Sequence, residues 1–231
     1  MKVATNMPLV EQRAKWGRRI APVTMLLLLG GLVTNFLSIN QPEYFRITLV
    51  LLGLGFISAI ASSYLVNNWV REPRADQILG QLLQKFGNDY LLSNYMSPVP
   101  HVLLAPDGLY TILVKNQNGD ISVEGQRVSR KFDWRRLFRF FGDEALGSPI
   151  ADAQSQAGKL RRWLSKSLSE EEIPEIKPIV LFTHKNVKLS VNNPAIPVMQ
   201  TNELKGYLRN QSKRRTVSSE QRQKLATILG G

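Results

Sequence analysis

The sequence predicts an α/β fold: a transmembrane hairpin of two helices followed by a small mixed-sheet domain. Two long uncharged apolar runs lie within the first 70 residues, and short strand-like runs alternate with amphipathic helical segments after them. We therefore divide the chain into a basic cytoplasmic N-terminus (1–19), a transmembrane hairpin (20–70), an α/β domain (71–204) and a basic C-terminal helical tail (205–231).

The two apolar runs have the length and the flanks of membrane spans. Ile20 to Leu37 gives 18 residues without a charge, and Ile47 to Val66 gives 20. As helices they would reach about 27 and 30 Å, which matches a hydrocarbon core of about 30 Å. Trp16 precedes the first run and Trp69 follows the second, as is typical of residues at a membrane interface.

The distribution of positive charge predicts the orientation. Residues 1–19 carry five basic side chains against Glu11, whereas the connecting loop carries Arg46 offset by Glu43. Because loops rich in lysine and arginine stay in the cytoplasm, we expect an integral protein of the cell inner membrane with both termini cytoplasmic. Neither span contains an ionisable residue, which argues against a pump, a proton relay or a channel.

One face of the second span is lined by small residues. Gly55, Ala59 and Ser63 repeat every four positions, and such a face allows helices to pack closely. Two interpretations stay open: this face packs on the first helix, near Gly30 and Gly31, or it docks onto another membrane subunit.

Composition excludes several classes of chemistry. Cysteine is absent and only His101 and His184 are present, which removes thiol catalysis, cysteine-ligated metals and a histidine-rich metal centre. We expect no cofactor and no metal. The net charge of +12, from 30 basic and 18 acidic side chains, indicates an anionic partner such as membrane lipid, an acidic protein surface or nucleic acid.

Patterns in the second part of the chain predict a small sheet with flanking helices. Apolar residues at helical spacing predict a helix over Ala75 to Phe86 and another over Ala151 to Ser165. A capping signature at Ser218 and Gln221 predicts a terminal helix. The predicted strands are His101–Leu104, Leu109–Lys115, Ile121–Val128, Pro178–Thr183, Val187–Val191 and Ile196–Met199.

These residues resemble a known family. A helix is followed by the hairpin from His101 to Asn116, then by Ser148-Pro149-Ile150 opening a second helix, then by the strand Ile179 to Thr183. This arrangement, over roughly residues 75–200, resembles the NERD (nuclease-related) domain. The resemblance implies a restriction-endonuclease-like fold of the PD-(D/E)XK group.

The resemblance also implies where a metal site would lie. Family members use an Asp before the first strand, an acid-x-Lys on the second strand and often a Gln on the following helix; the acids hold a divalent metal. Mapped onto this sequence, these positions fall on Pro100, on Leu113 and Lys115, and on Asp152. Proline and leucine offer no side-chain oxygen to a hard cation, so the resemblance implies a degenerate, non-enzymatic site. Asp107, Asp120 and Asp152 are the acids available to compensate.

A basic and aromatic segment follows the third predicted strand. Trp134, Phe138 and Phe141 fall on one predicted helical face. The basic members of the segment are Arg127, Arg130, Lys131, Arg135, Arg136 and Arg139. Three interpretations stay open: a lipid interface, packing on the domain's own core or on a protein partner, and nucleic-acid binding.

The leading functional hypothesis is a membrane-anchored, non-catalytic NERD-like module that acts as an accessory or scaffolding subunit. It would bind protein, anionic lipid or both at the cytoplasmic membrane face. One alternative is a membrane-tethered metal-dependent nuclease with a displaced metal site. The other is a membrane-bound nucleic-acid-binding protein.

Overall fold

The computed structural model describes residues 1–131 and 146–230. Within this part of the chain there are two compact units. One is a helical unit of residues 7–74. The other is an α/β unit in which residues 1–6 join the chain from Ala75 onward.

The helical unit is a hairpin of two long helices, α1 (Met7–Leu37) and α2 (Tyr44–Leu65). A π-helical turn, Val66–Val70, continues α2. Two helices here are long and apolar enough to cross a membrane, and apolar side chains such as Leu26 and Phe36 are exposed. Helix α1 begins at Met7, well before the predicted Ile20, so the basic N-terminal residues are largely helical.

Small and hydroxylated residues hold the two helices together. A Cβ on Gly55 would lie 2.7 Å from Leu28 of α1, and one on Gly31 would lie 2.6 Å from Leu52 of α2. The hydroxyls of Thr24 and Ser58 are 2.6 Å apart. A second interhelical hydrogen bond joins Thr34 and Thr48 at 2.9 Å. These contacts fit the close packing that small residues permit in apolar surroundings.

The α/β unit contains two sheets. The strands are β1 (Lys2–Thr5), β2 (Leu91–Asn94), β3 (His101–Ala105), β4 (Gly108–Lys115), β5 (Gly119–Gly125), β6 (Arg127–Arg130), β7 (Ile176–Phe182), β8 (Val187–Pro194) and β9 (Val198–Gln200). The larger sheet has the order β1-β2-β3-β4-β7-β9, and the smaller one has the order β6-β5-β8. The pairs β2–β3 and β3–β4 are antiparallel, whereas β1–β2, β4–β7 and β7–β9 are parallel.

The described residues of this unit also form four helices: α3 (Ala75–Leu83), α4 (Pro149–Leu164), α5 (Thr201–Gln211) and α6 (Ser219–Ile228). Leucines of α3 and α5 pack with Tyr110 and Ile112 of β4 in a first apolar cluster. Leucines of α4 and α6 pack with Leu104 and Leu109 in a second. A third cluster joins the smaller sheet to α4 and β7 through Ile121, Ile150 and Phe182, among others.

The structure confirms the predicted mixed α/β class and most of its elements. The helix from Ala75, the β3–β4 hairpin, α4 and the central strand β7 lie within a few residues of their predicted positions. The single strand predicted over Ile121 to Val128 is wrong, because the chain reverses there between β5 and β6. Gly125, at φ +54°, takes the left-handed conformation that such a reversal favours.

Two further differences concern the ends of the chain. The prediction of a separate tail from residue 205 is wrong, since Leu204 and Leu208 of α5 and Leu225 of α6 are buried in the α/β unit. Residues 1–19 are not a separate segment either. Residues 2–5 are an edge strand of the larger sheet, and no sequence pattern had indicated β1 or β2.

Candidate functional site

The β3–β4 hairpin carries three of the four positions that the family resemblance singles out. Pro100 is exposed just before β3, and Leu113 and Lys115 lie near the end of β4. Asp152 lies in the first turn of α4, with its side chain exposed. The structure therefore places the mapped positions at one end of the hairpin, which we call the motif end.

The motif end is apolar where a metal ligand would stand. Leu113 is half-buried and packs against the third cluster, which includes Ile150, Ala153 and Val180. Side chains alternate between the two faces of a strand, so Lys115 points to the same face as Leu113. Lys115 is 7% exposed.

Of the three acids available to compensate, Asp152 lies at the motif end, on α4, and the other two lie elsewhere. Asp107 is in the turn at the other end of β4, about 20 Å from Leu113 at the usual rise per strand residue. Asp120 lies on β5 and is exposed. Among residues 1–131 and 146–230, no group of three or more histidine, aspartate or glutamate side chains could hold a metal ion.

The opposite end of the hairpin, which we call the turn end, holds a buried polar cluster. The Asp107 carboxylate, with 1% of its side chain exposed, accepts a hydrogen bond from Lys177 Nζ at 2.9 Å. The Tyr110 hydroxyl donates to the same carboxylate oxygen, Oδ2. Lys177 also lies 5.5 Å from the centre of the Tyr110 ring. Strand pairing explains this meeting, because Tyr110 of β4 is opposite Lys177 of β7.

Electrostatics at the turn end favour a structural role. Burial, and then the hydrogen bond to Asp107, raise the pKa of Tyr110 well above its ordinary value. Burial also raises the pKa of Tyr207, which packs edge-on against Tyr110 with ring centres 6.4 Å apart. Both phenols therefore stay neutral, and Tyr110 acts as a hydrogen-bond donor to Asp107. Asp107 Oδ1 is buried without a hydrogen-bond partner, so Lys177 supplies the charge compensation that this carboxylate needs.

A second buried polar group lies at the start of β3. His101 Nδ1 is 2.9 Å from Asn94 Oδ1, and the ring packs edge-on against Tyr95 at 5.1 Å. Burial lowers the pKa of His101 to about 4, and the charge of Asp76 opposes this shift only in part. The imidazole is therefore neutral at physiological pH and holds Asn94 in place.

The basic and aromatic segment is described only at its start. Arg127 and Arg130 belong to β6, and Arg130 Nη2 donates to the Asn118 side-chain oxygen. Arg127 and Lys131 are exposed. The remaining members, Trp134, Arg135, Arg136, Phe138, Arg139 and Phe141, lie outside the described residues.

In the helical unit, the small-residue face of α2 is turned toward α1 at Gly55, as the contact with Leu28 shows. Ala59 and Ser63 are half-buried. Ser63 accepts a hydrogen bond from the Asn67 side chain at 3.3 Å.

Sequence reasoning missed the turn-end cluster. The sequence indicated Asp107 only as a compensating metal ligand, and no pattern singled out Lys177. The register that aligns Tyr110 with Lys177 depends on a parallel pairing between strands far apart in sequence. One local signal pointed to this cluster. Glu175, just before β7, and Lys177, within β7, form an acidic and basic pair two residues apart.

Comparison with known proteins identifies the α/β unit. Residues 69–183 match the family model of the nuclease-related domain, NERD. This match runs from the end of the π-helical turn through β7 and includes the hairpin with both of its ends. No curated protein and no solved structure matches the chain. The chain therefore contains, over residues 69–183, a nuclease-related domain of the NERD family.

Proposed function

We propose that this protein is a membrane-anchored, non-catalytic NERD module that acts by binding, as an accessory or scaffolding subunit at the cytoplasmic membrane face. The carrying observation is the apolar packing of Leu113 at the position where the family resemblance would put a metal-binding acid. A hard divalent cation needs several oxygen ligands. Pro100 and Leu113 supply none from their side chains, which leaves binding as the role of the fold.

Membrane anchoring rests on the helical unit. Its two apolar helices have the required length, and the exposed side chains of their uncharged runs include leucine, isoleucine, valine and phenylalanine. Pairing between β1 and β2 supports a topology with both ends on one side, because residues before α1 and after α2 share a sheet. The excess of positive charge in residues 1–19 makes that side the cytoplasm.

The partners we propose are anionic lipid and another membrane protein. The net charge of +12 favours an anionic surface. Exposed cations next to the membrane interface include Lys15, Arg18 and Arg19 of α1, which lie within one to five residues of the first uncharged run. Phospholipid phosphates are at that depth.

The decisive experiment separates a binding module from an enzyme. The full chain in detergent micelles is incubated with DNA and with RNA, in Mg²⁺ and in Mn²⁺, beside a Lys115→Ala variant prepared identically. We expect no metal-dependent cleavage by either protein. Cleavage that needs the metal and disappears in Lys115→Ala would establish the tethered nuclease instead.

A second experiment tests the subunit role. The protein is extracted in mild detergent at native expression level, and co-purifying proteins are quantified against an extract without it. We expect a membrane protein in stoichiometric amount. Recovery of the chain alone would contradict the subunit role, and salt-sensitive recovery of nucleic acid would favour the nucleic-acid-binding alternative.

A further inference from the structure

The edge strand β1 is far in sequence from β2, the strand with which it pairs. Lys2 to Thr5 pair in parallel with Leu91 to Asn94 in continuous register. Backbone hydrogen bonds extend this pairing at both ends: Lys2 N donates to Tyr90 O at 3.0 Å and Asn6 N donates to Asn94 O at 3.1 Å. The intervening chain contains both apolar helices.

Side-chain contacts, in addition to the backbone hydrogen bonds, fix the register of β1. Met1 packs against the first apolar cluster and Ala4 against the second. The Asn94 side-chain amide donates to Thr5 Oγ1 at 3.1 Å, and the Asn6 side chain donates to Tyr95 O at 3.3 Å. Because His101 holds the oxygen of Asn94, the groove that receives β1 is built from buried groups of the domain itself.

Parallel strands require a crossover that returns the chain to its starting side. Between β1 and β2 that crossover is the helical hairpin. A chain in which only one helix crossed the bilayer would leave Lys2–Thr5 and β2 on opposite sides of the membrane. The β2 edge would then keep unpaired backbone N–H and C=O groups in a position that is otherwise buried.

We propose that residues 1–6 act as an intramolecular latch that completes the NERD domain only in a chain whose two helices have both crossed the membrane. The latch couples folding of the domain to correct membrane topology. Its ligand is the chain's own extended N-terminal segment, received in cis by the β2 edge. This inference rests on the membrane anchoring proposed above.

A matched pair of proline variants tests the strand. Lys2 N and Asn6 N point at β2, so by alternation Ala4 N does too, whereas Val3 N points away. Proline at residue 4 therefore removes a donor from the ladder, and proline at residue 3 removes one that faces outward. The full chain in micelles is followed by hydrogen exchange of the amides of residues 91–95. We expect exchange at least tenfold faster in Ala4→Pro and within about threefold of the parent in Val3→Pro.

The milder variant Thr5→Val covers the case in which Ala4→Pro fails to fold. It removes only the acceptor for Asn94, and we expect exchange in residues 91–95 to be about fivefold faster. Unchanged exchange in both Ala4→Pro and Thr5→Val would overturn the latch.

Cross-linking tests the topology and the source of the strand. The chain has no cysteine, so an Ala4→Cys/Ser93→Cys variant places one pair at directly opposed positions of β1 and β2. In isolated membranes treated with copper phenanthroline as the oxidant, we expect an intramolecular disulfide. Adding Leu51→Arg and Ile57→Arg, which block insertion of α2, should reduce its yield at least tenfold.

The other possible results of the cross-linking experiment lead to different conclusions. A disulfide-linked dimer would overturn the assignment in cis and show that a second copy supplies the strand. A yield unchanged by the two arginines would overturn the coupling to topology. Carbonate extraction of the same membranes reports separately on anchoring: release of the Ala4→Cys/Ser93→Cys protein with its disulfide intact would defeat the proposed anchoring and the coupling, but not the strand pairing.

Discussion

The two ends of the β3–β4 hairpin differ in the polarity of their buried side chains, although both include residues of β4. At the motif end, Leu113 and Lys115 face α4 and the third apolar cluster, and the positions of the expected acids are apolar. At the turn end, Asp107, Tyr110 and Lys177 form a buried charged cluster. Tyr110 lies on the opposite face of β4 from Leu113, packed with α3 and α5.

This comparison distinguishes polar groups that are merely buried in the hairpin from polar groups that are arranged for catalysis. A buried carboxylate beside a lysine is the pairing that metal-dependent nucleases use, yet at the turn end the lysine ammonium itself neutralises Asp107. At the motif end a lysine is present, and the family resemblance places the neighbouring acid at Leu113. The polar groups at the turn end therefore stabilise the fold, and we propose that those at the motif end assemble no metal site.

The largest expected effect comes from breaking the turn-end pair. Lys177→Met leaves the buried Asp107 carboxylate without its countercharge, so we expect the free energy of unfolding to fall by about 4 kcal/mol. Urea denaturation of the full chain in micelles measures the change. Lys159→Met, at an exposed position on α4, is the control and should stay within about 0.5 kcal/mol. A loss below about 1 kcal/mol for Lys177→Met would mean that the cluster contributes little to stability.

A pH titration tests the buried histidine near the motif end. Because the pKa of His101 is about 4 in the folded chain against an ordinary 6.5, the unfolded chain binds a proton first as pH falls. Stability from this group is therefore complete above about pH 6.5 and declines by about 3 kcal/mol on the way to about pH 4. Thermal unfolding between pH 7 and pH 5 measures most of this loss.

His101→Gln is the matched control for that titration, since it keeps a side chain able to pair with Asn94 but cannot titrate. Its melting temperature should be much less sensitive to pH in the same interval. Glu172 does not confuse the measurement, because hydrogen bonds from Lys224 and Ser169 lower its pKa to about 2, and its contribution is lost only below about pH 4.5. Equal slopes for parent and variant would show that His101 is not held neutral.

How well the sequence predicted an element depends on how far apart in the sequence its interacting residues lie. The helices, the β3–β4 hairpin and β7 were predictable because their patterns are local: apolar spacing, a Pro-Asp-Gly turn and a continuous apolar run. The strands β1 and β2 were not, because Leu91 to Asn94 are only four residues and their pairing joins segments 89 residues apart. The positions at the motif end are assigned from the family resemblance and stay a prediction, whereas the turn-end cluster depends on the β4–β7 register.

The smallest expected effect comes from returning an acid to the motif end. Leu113→Asp removes a half-buried apolar contact with the third cluster and puts a partly desolvated charge there, so we expect a loss of about 2 kcal/mol in the free energy of unfolding. Leu113→Met, which conserves volume, should cost less than about 1 kcal/mol. The sharper measurement is thermal unfolding of Leu113→Asp with and without Mg²⁺ or Mn²⁺. Ligand binding to the folded state raises the melting temperature, and we expect no rise, because one carboxylate among apolar neighbours gives a cation too few oxygens. A metal-dependent rise absent from the parent and from Leu113→Met would mean that other oxygens already converge on this position, and the two ends of the hairpin would then be alike in their chemistry.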